Sequence, residues 1–221
     1  MTDAPTILCF GDSNTHGTCP MAHLDDGRRF DRSQRWPAVM ARALGTSAHI
    51  IEEGHPGRTT VHSDPIEGAH KNGFAVLPAI LESHRPLSLV VIMLGTNDLK
   101  ERFSVPAMDI ALSLGKLAAF ARNSETGPER GAPEVLLIAP PPVVERGCLT
   151  EMFRGGAAKS EALRNLLKTE ANRQGAHFMD AAQYAAMSEV DGIHFDATAH
   201  AALGAGVADC ARRILALDRR P

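Results

Sequence analysis

Long apolar runs are missing from this chain of 221 residues. The longest spans residues 89–94, far short of the roughly 20 apolar residues that a helix needs to cross a bilayer, so no membrane span and no membrane partner are expected. Dense Lys/Arg runs are also missing and the formal net charge is only −3, which leaves no electrostatic footprint for nucleic acid. Cysteine is scarce: Cys9, Cys19, Cys148 and Cys210 form no CxxC pair and at this length are too few for a disulfide framework. They read as reduced thiols, with Cys9, inside an apolar run, a small buried hydrophobe. Residues 1–10 carry no basic stretch of the signal-peptide kind, and the expected location is cytoplasmic. No Pro/Gly/Ser-rich linker, internal repeat or low-complexity tract divides the sequence, so residues 1–221 are expected to form a single domain.

What is present is a globular composition, 44% hydrophobic and 22% charged, laid out as alternating strand and helix signals. Short apolar runs bounded by turn residues fall at 7–10, 48–51, 87–94 and 135–139, with a weaker one at 177–179. Between them lie helical spacings: Trp36, Val39, Met40, Ala43 and Leu44; then Phe74, Leu77, Ile80 and Leu81; then Ile110, Leu112, Leu114, Leu117 and Ala118. A last periodic segment covers residues 197–217. A continuous apolar strand such as 89–94 belongs in a parallel sheet covered on both faces, because neither face meets water. The expected architecture is an α/β three-layer sandwich, and in open parallel sheets ligands bind outside the carboxyl ends of the strands.

Three motifs stand at those ends: Gly11-Asp12-Ser13-Asn14 after the first strand, Gly54-His55-Pro56-Gly57-Arg58-Thr59-Thr60 after the second, and Gly95-Thr96-Asn97-Asp98 after the third. Ser13, on a tight strand-to-helix turn, is a candidate nucleophile, although Asp and Ser after a strand are also common turn formers and helix caps. A serine hydroxyl needs a base oriented by a carboxylate. Asp191-Gly192-Ile193-His194 supplies both on one loop, where Gly192 lets the carboxylate turn back to the imidazole. The alternative is an Asp-Gly turn beside an exposed histidine. Gly57, without a Cβ, can bring its N–H close to a substrate oxygen, and it also fits the third place of a Pro-Gly type II turn. Asn97 offers a side-chain amide, or caps its loop. Asp12 reads as a structural carboxylate holding the Ser13 turn. Arg58 reads as a surface charge, or one supporting the site from behind, rather than a substrate clamp.

Taken together these blocks resemble the SGNH (GDSL-type) hydrolase superfamily. The segments Leu8-Cys9-Phe10-Gly11-Asp12-Ser13, Arg35-Trp36, Glu52-Glu53-Gly54, Ile92-Met93-Leu94-Gly95-Thr96-Asn97-Asp98 and Ala139-Pro140-Pro141-Pro142 are similar to its bacterial arylesterase and carbohydrate acetylesterase branch, some of whose members transfer acyl groups to alcohols. The resemblance implies a flavodoxin-like sandwich with a five-stranded parallel sheet and a serine esterase that uses no cofactor and no metal. It implies Ser13 as nucleophile, His194 as base, Asp191 as its orienting acid, and Gly57, Asn97 and the Ser13 N–H as the oxyanion hole. A homo-oligomer, an octamer among the options, is implied as well. Asn14, where many relatives carry Leu, and His16, where some carry an aromatic residue, depart from the pattern and bear on substrate preference. Residues 143–156, with Leu149, Met152 and Phe153, are a candidate lid, subunit contact or surface helix.

Other functions fit less well. A nucleotide or flavin binder lacks GxGxxG after the first strand, and Gly155-Gly156-Ala157-Ala158-Lys159-Ser160 lacks the glycine that a P-loop places before its lysine. A metallohydrolase lacks HExxH and HxH. Thioesterase, lysophospholipase and peptidase activities share the same acyl-enzyme chemistry and stay open. With 5% aromatic residues and polar side chains near the motifs, a small acyl group such as acetyl is favoured.

Overall fold

The computed structural model describes residues 4–217. Five strands, β1 (Thr6–Gly11), β2 (His49–Gly54), β3 (Leu89–Met93), β4 (Glu134–Ala139) and β5 (His177–Asp180), form one parallel sheet in the order β2-β1-β3-β4-β5. That is the flavodoxin-like order, with its switch point between β1 and β3. Six helices accompany it: α1 (Ser13–His16), α2 (Trp36–Leu44), α3 (Gly73–His84), α4 (Ala107–Arg122), α5 (Gly156–Gln174) and α6 (Ala197–Leu215). They form two groups, α2 packed on α6 and α4 packed on α3 and α5. These are the outer layers that the continuously apolar β3 demands, and every residue of β3 is buried. Among the described residues no helix is long and apolar enough to cross a membrane.

Register brings the motifs together. Gly11 at the end of β1 lies level with Gly54 of β2 and with Met93 of β3, so the loops that begin with Asp12, His55 and Leu94 leave the sheet at the same edge. The loop after β5 leaves there too, because Ala139 of β4 pairs with Asp180. The strand β2 runs beyond the apolar run at 48–51 because Glu52 and Glu53 stay in register with Cys9 and Phe10. On this edge strand their carboxylates reach partners at the rim, Arg35 at 3.6 Å and His84 at 3.0 Å.

Helix α5 has the weakest sequence signal, since it is mostly charged and polar. Of its buried residues, Ser160, Leu163, Leu167 and Ala171 recur at intervals of three and four, with Gly156 and Glu170 buried beside them, a narrow stripe just wide enough for one face. Residues 143–156 are not a surface helix. Up to residue 155 they run as irregular chain with one 3-10 turn at Gly147–Leu149, Gly156 being the first residue of α5, and they bury Val143, Leu149 and Phe153.

Candidate active site

Ser13 is the first residue of α1, so its N–H lies outside the helix ladder. Asp12 caps this short helix, its Oδ1 accepting the Asn14 N–H at 2.9 Å, which is the structural role expected of it. Burial pushes the Asp12 carboxyl up to about 6, against the Asn14 hydrogen bond and the charges of His194 and Arg58. Arg58 is not a surface charge. It is 5% exposed, lies over the Phe10 ring with its guanidinium carbon 4.2 Å from the centroid, and donates to the carbonyls of Gly11, at 2.8 Å, and Glu53. Among the described residues it has no carboxylate partner, and it ties the ends of β1 and β2 together through their backbones.

Across the cleft the loop after β5 carries the histidine. Nε2 of His194 lies 3.1 Å from Ser13 Oγ, and Nδ1 lies 2.6 Å from Asp191 Oδ2. Asp191 is fully buried and its carboxylate is saturated: Oδ1 accepts the N–H groups of Ile193 and His194, each at 3.0 Å, and Oδ2 also accepts the Met21 N–H at 2.7 Å. Burial alone pushes this carboxyl up, but the His194 hydrogen bond and charge, with the N–H groups of His194 and Met21, outweigh it and hold the carboxyl at about 2. The turn depends on Gly192, whose φ is +71°; a Cβ there would stand 1.9 Å from the Val144 carbonyl oxygen. This is the fold-back expected of Asp191-Gly192.

Gly57 has φ +77°, and the Arg58 N–H bonds the His55 carbonyl at 3.1 Å, which makes His55 to Arg58 a type II turn with Pro56 and Gly57 in its centre. Asn97 opens a 3-10 turn and its Nδ2 donates to the Arg58 carbonyl at 3.1 Å, orienting the amide over the 55–58 turn. Its other approach, to Asp12 Oδ2, is 3.5 Å, too long to hold that second hydrogen firmly. Behind it Asp98 accepts the Thr60 N–H at 3.0 Å and the Thr60 hydroxyl at 2.5 Å, locking the second loop to the third. Ser13, Gly57, Asn97 and His194 line one cavity of about 240 Å³.

The rest of that lining has two characters. One wall is apolar, with Met21, Leu24, Leu149, Met152, Phe153 and Ile193; the other holds Glu67 and Lys100. Lys100 is 3% exposed, paired with Glu67 and, at 3.6 Å, with Asp64, which also holds Arg102 at 3.0 Å. No sequence motif marks this ion-pair cluster. Lys100 stands a few residues beyond Asn97, the one local signal that its side chain belongs to the site. Met21 is equally silent in sequence, since it acts through its N–H. Asn14 and His16 do not line the cavity. Asn14 turns to the backbone on either side of His194, and His16, held neutral because burial and the charges of Arg29 and Arg35 lower it to about 4, contacts the Thr18 hydroxyl at 3.2 Å.

A carboxylate, an imidazole and a serine hydroxyl in hydrogen-bonded sequence, at the switch point of a parallel sheet, form the relay on which serine hydrolases work. Residues 9–202 match the GDSL-like Lipase/Acylhydrolase family, and the chain belongs to that family of carboxylic ester hydrolases. Among solved structures it is similar to a carbohydrate acetylesterase from Sinorhizobium meliloti, with 39% identity over 95% of this chain and 99% of that one and a TM-score of 0.90. It is also similar to the native aryl esterase of M. smegmatis, with 37% identity over 96% of this chain and 100% of that one and a TM-score of 0.90. A carbohydrate acetylesterase family member from Sinorhizobium meliloti aligns at 35% identity over 96% and 99% of the two chains, TM-score 0.89. No curated protein matches the chain.

Proposed function

We propose that the protein is a serine esterase that cleaves small-acyl esters, acetyl esters foremost, of aryl, alkyl or sugar alcohols. The observation that carries this reading is His194 standing between Asp191 at 2.6 Å and Ser13 at 3.1 Å inside a cavity shared with Gly57 and Asn97. Ser13 Oγ attacks the ester carbonyl carbon while His194 Nε2 takes its proton. The carbonyl oxygen becomes an oxyanion held by the N–H groups of Ser13 and Gly57 and by the Asn97 amide. The C–O bond to the alcohol then breaks, the alcohol leaving with the proton from His194 and the acyl group remaining on Ser13. Water, deprotonated by the same imidazole, releases the acid and restores the serine.

Cavity size supports the small acyl group, since about 240 Å³ is below the roughly 300 to 1,000 Å³ of pockets that enclose drug-sized ligands. The acetylesterase and aryl esterase relatives are similar enough for the same leaving groups to be carried over to this chain. An alcohol in place of water at the second step would make the enzyme an acyltransferase, and the apolar wall of Met21, Leu149, Met152 and Phe153 favours such an acceptor. We further assign residues 1–221 to one domain, working as a homo-oligomer. Leu24, Ile66, Val144 and Val190 are exposed apolar side chains in four separate loops at the active edge, the surface on which neighbouring subunits would meet. Four free cysteines fit a reducing compartment and the cytoplasm.

The test is p-nitrophenyl acetate hydrolysis by the wild type and by Ser13→Ala, with EDTA present throughout. Activity that persists in EDTA and disappears in the variant is expected. Equal rates in the two proteins, or loss in EDTA alone, would refute the serine mechanism, and higher kcat/KM on octanoate than on acetate esters would refute the acyl preference.

A further inference from the structure

Asn14 follows the nucleophile yet faces away from the cavity. Its side chain, 1% exposed, reaches the loop that carries His194: Nδ2 donates to the Ile193 carbonyl and Oδ1 accepts the Phe195 N–H, both at 2.9 Å. A carbonyl from one residue and an N–H from the next but one is the set that a parallel strand partner would bond. Here a single primary amide supplies both halves, and the residue straddled is His194.

The loop has other anchors, and they act in other directions. Asp191 holds the N–H groups of Ile193 and His194 from within the loop, Ser188 donates to the His194 carbonyl, and Val144 donates to Gly192. These fix its internal shape and its attachment to residue 144. Apart from the Ser13 to His194 contact itself, the Asn14 pair is what hydrogen-bonds residues 193–195 to α1 among the described residues. It spans 179 and 181 positions of sequence and joins the covalent neighbour of Ser13 to both neighbours of His194.

We propose that Asn14 is a positioning residue that sets the separation of base and nucleophile, an inference that rests on the assignment of Ser13 and His194 above. The chemistry selects an amide. Aspartate keeps the acceptor for Phe195 but loses the donor for Ile193, and leucine, the residue of many relatives in the family resemblance, has neither. Loss of both leaves a buried carbonyl and a buried N–H without partners, which the loop can relieve only by moving. A displacement near 1 Å at a reacting pair costs on the order of 100-fold in rate. Asn14 does not touch the cavity, so substrate binding is unaffected.

Steady-state hydrolysis of p-nitrophenyl acetate by Asn14→Leu and Asn14→Asp tests this, with thermal melting of each variant to establish folding. Asn14→Leu is expected to lower kcat about 100-fold, with KM within about twofold of wild type. Asn14→Asp, which keeps one bond, is expected to lose about tenfold. A folded Asn14→Leu with kcat within about twofold of wild type overturns the proposal, and so does a raised KM at unchanged kcat, which would make residue 14 a wall of the binding site. If the leucine variant does not fold, the nearly isosteric aspartate variant decides on the same criteria. Ser13→Ala separates the two levels of inference. Full activity in it removes the esterase mechanism and this role together, whereas a silent Ser13→Ala beside a fully active Asn14→Leu removes only this role.

Discussion

Replacing Asp191 with asparagine changes one atom in a place where every lone pair is used. Oδ1 of the amide can still accept the N–H groups of Ile193 and His194. The NH₂ that replaces Oδ2 faces two donors, the Met21 N–H at 2.7 Å and His194 Nδ1 at 2.6 Å. The imidazole escapes this clash by moving its proton to Nε2 and accepting from the amide at Nδ1. Nε2 then presents a hydrogen to Ser13 Oγ, 3.1 Å away, and can no longer take one. Reaching the productive tautomer forfeits a charge-assisted hydrogen bond, roughly 1.5 to 3 kcal/mol, and sets donor against donor, roughly another 1 to 3 kcal/mol. The middle of that range, about 4 kcal/mol, is a factor of about 1,000 in rate. Asp191→Asn is therefore expected to lower kcat for p-nitrophenyl acetate about 1,000-fold at pH 8, with KM little changed. A folded variant within tenfold of wild type would show that the carboxylate does not govern the state of His194.

Four further outcomes follow from the structure. The Asp12 carboxyl is raised to about 6 from 3.8 by burial, so between those values the folded protein holds a proton that the unfolded chain releases, and this group's contribution to stability falls as pH rises through 6. Urea unfolding of Asp12→Asn is expected to show a stability advantage over wild type that grows by about 2 to 3 kcal/mol from pH 4 to 7, and a difference flat in pH would contradict it. Gly192→Ala, with φ +71° and a Cβ 1.9 Å from the Val144 oxygen, is expected to lose at least about 2 kcal/mol in the same measurement together with most of its activity. Leu167→Ala, at a fully buried position on α5, is expected to lose about 2 to 5 kcal/mol; a loss below 1 kcal/mol would mean that α5 does not close the sheet. Met152→Ala, in the apolar wall, is expected to raise the butyrate-to-acetate ratio of kcat/KM about tenfold, and an unchanged ratio would place the acyl group elsewhere.

The core strands were legible because their burial on both faces forces an uninterrupted apolar run, and β1, β3 and β4 lie close to where those runs stand. Helix α5 was not, since it buries only a narrow stripe in which Gly156, Ser160 and Glu170 stand beside Leu163, Leu167 and Ala171, and most of its other positions are free to be charged or polar. The turns that carry Ser13, Gly57, Asn97, Asp191 and His194 were legible for a different reason. Each sits in a short motif whose backbone demands, a cap, a type II turn or a left-handed glycine, leave a local trace in residue choice. Sequence left Arg58 between the surface and a place behind the site; the structure gives it the second, and the choice was not legible because its partners are the carbonyls of Gly11 and Glu53, and backbone acceptors leave no signature in sequence. For the same reason Met21, which serves Asp191 through its N–H, was invisible.

Sequence by itself determined the alternation of strand and helix, the apolar strands of a covered parallel sheet, and the motifs that end three of those strands, because each of these is a local matter of side-chain period and turn chemistry. Tertiary structure alone decided which groups meet. Ser13 and His194 are brought to 3.1 Å across 181 positions by strand order and register. The same packing turns Asn14 from the substrate to the histidine loop and buries Lys100 among Asp64 and Glu67 in the cavity wall. A contact between distant residues depends on the path of the chain between them, and no spacing along the sequence encodes it.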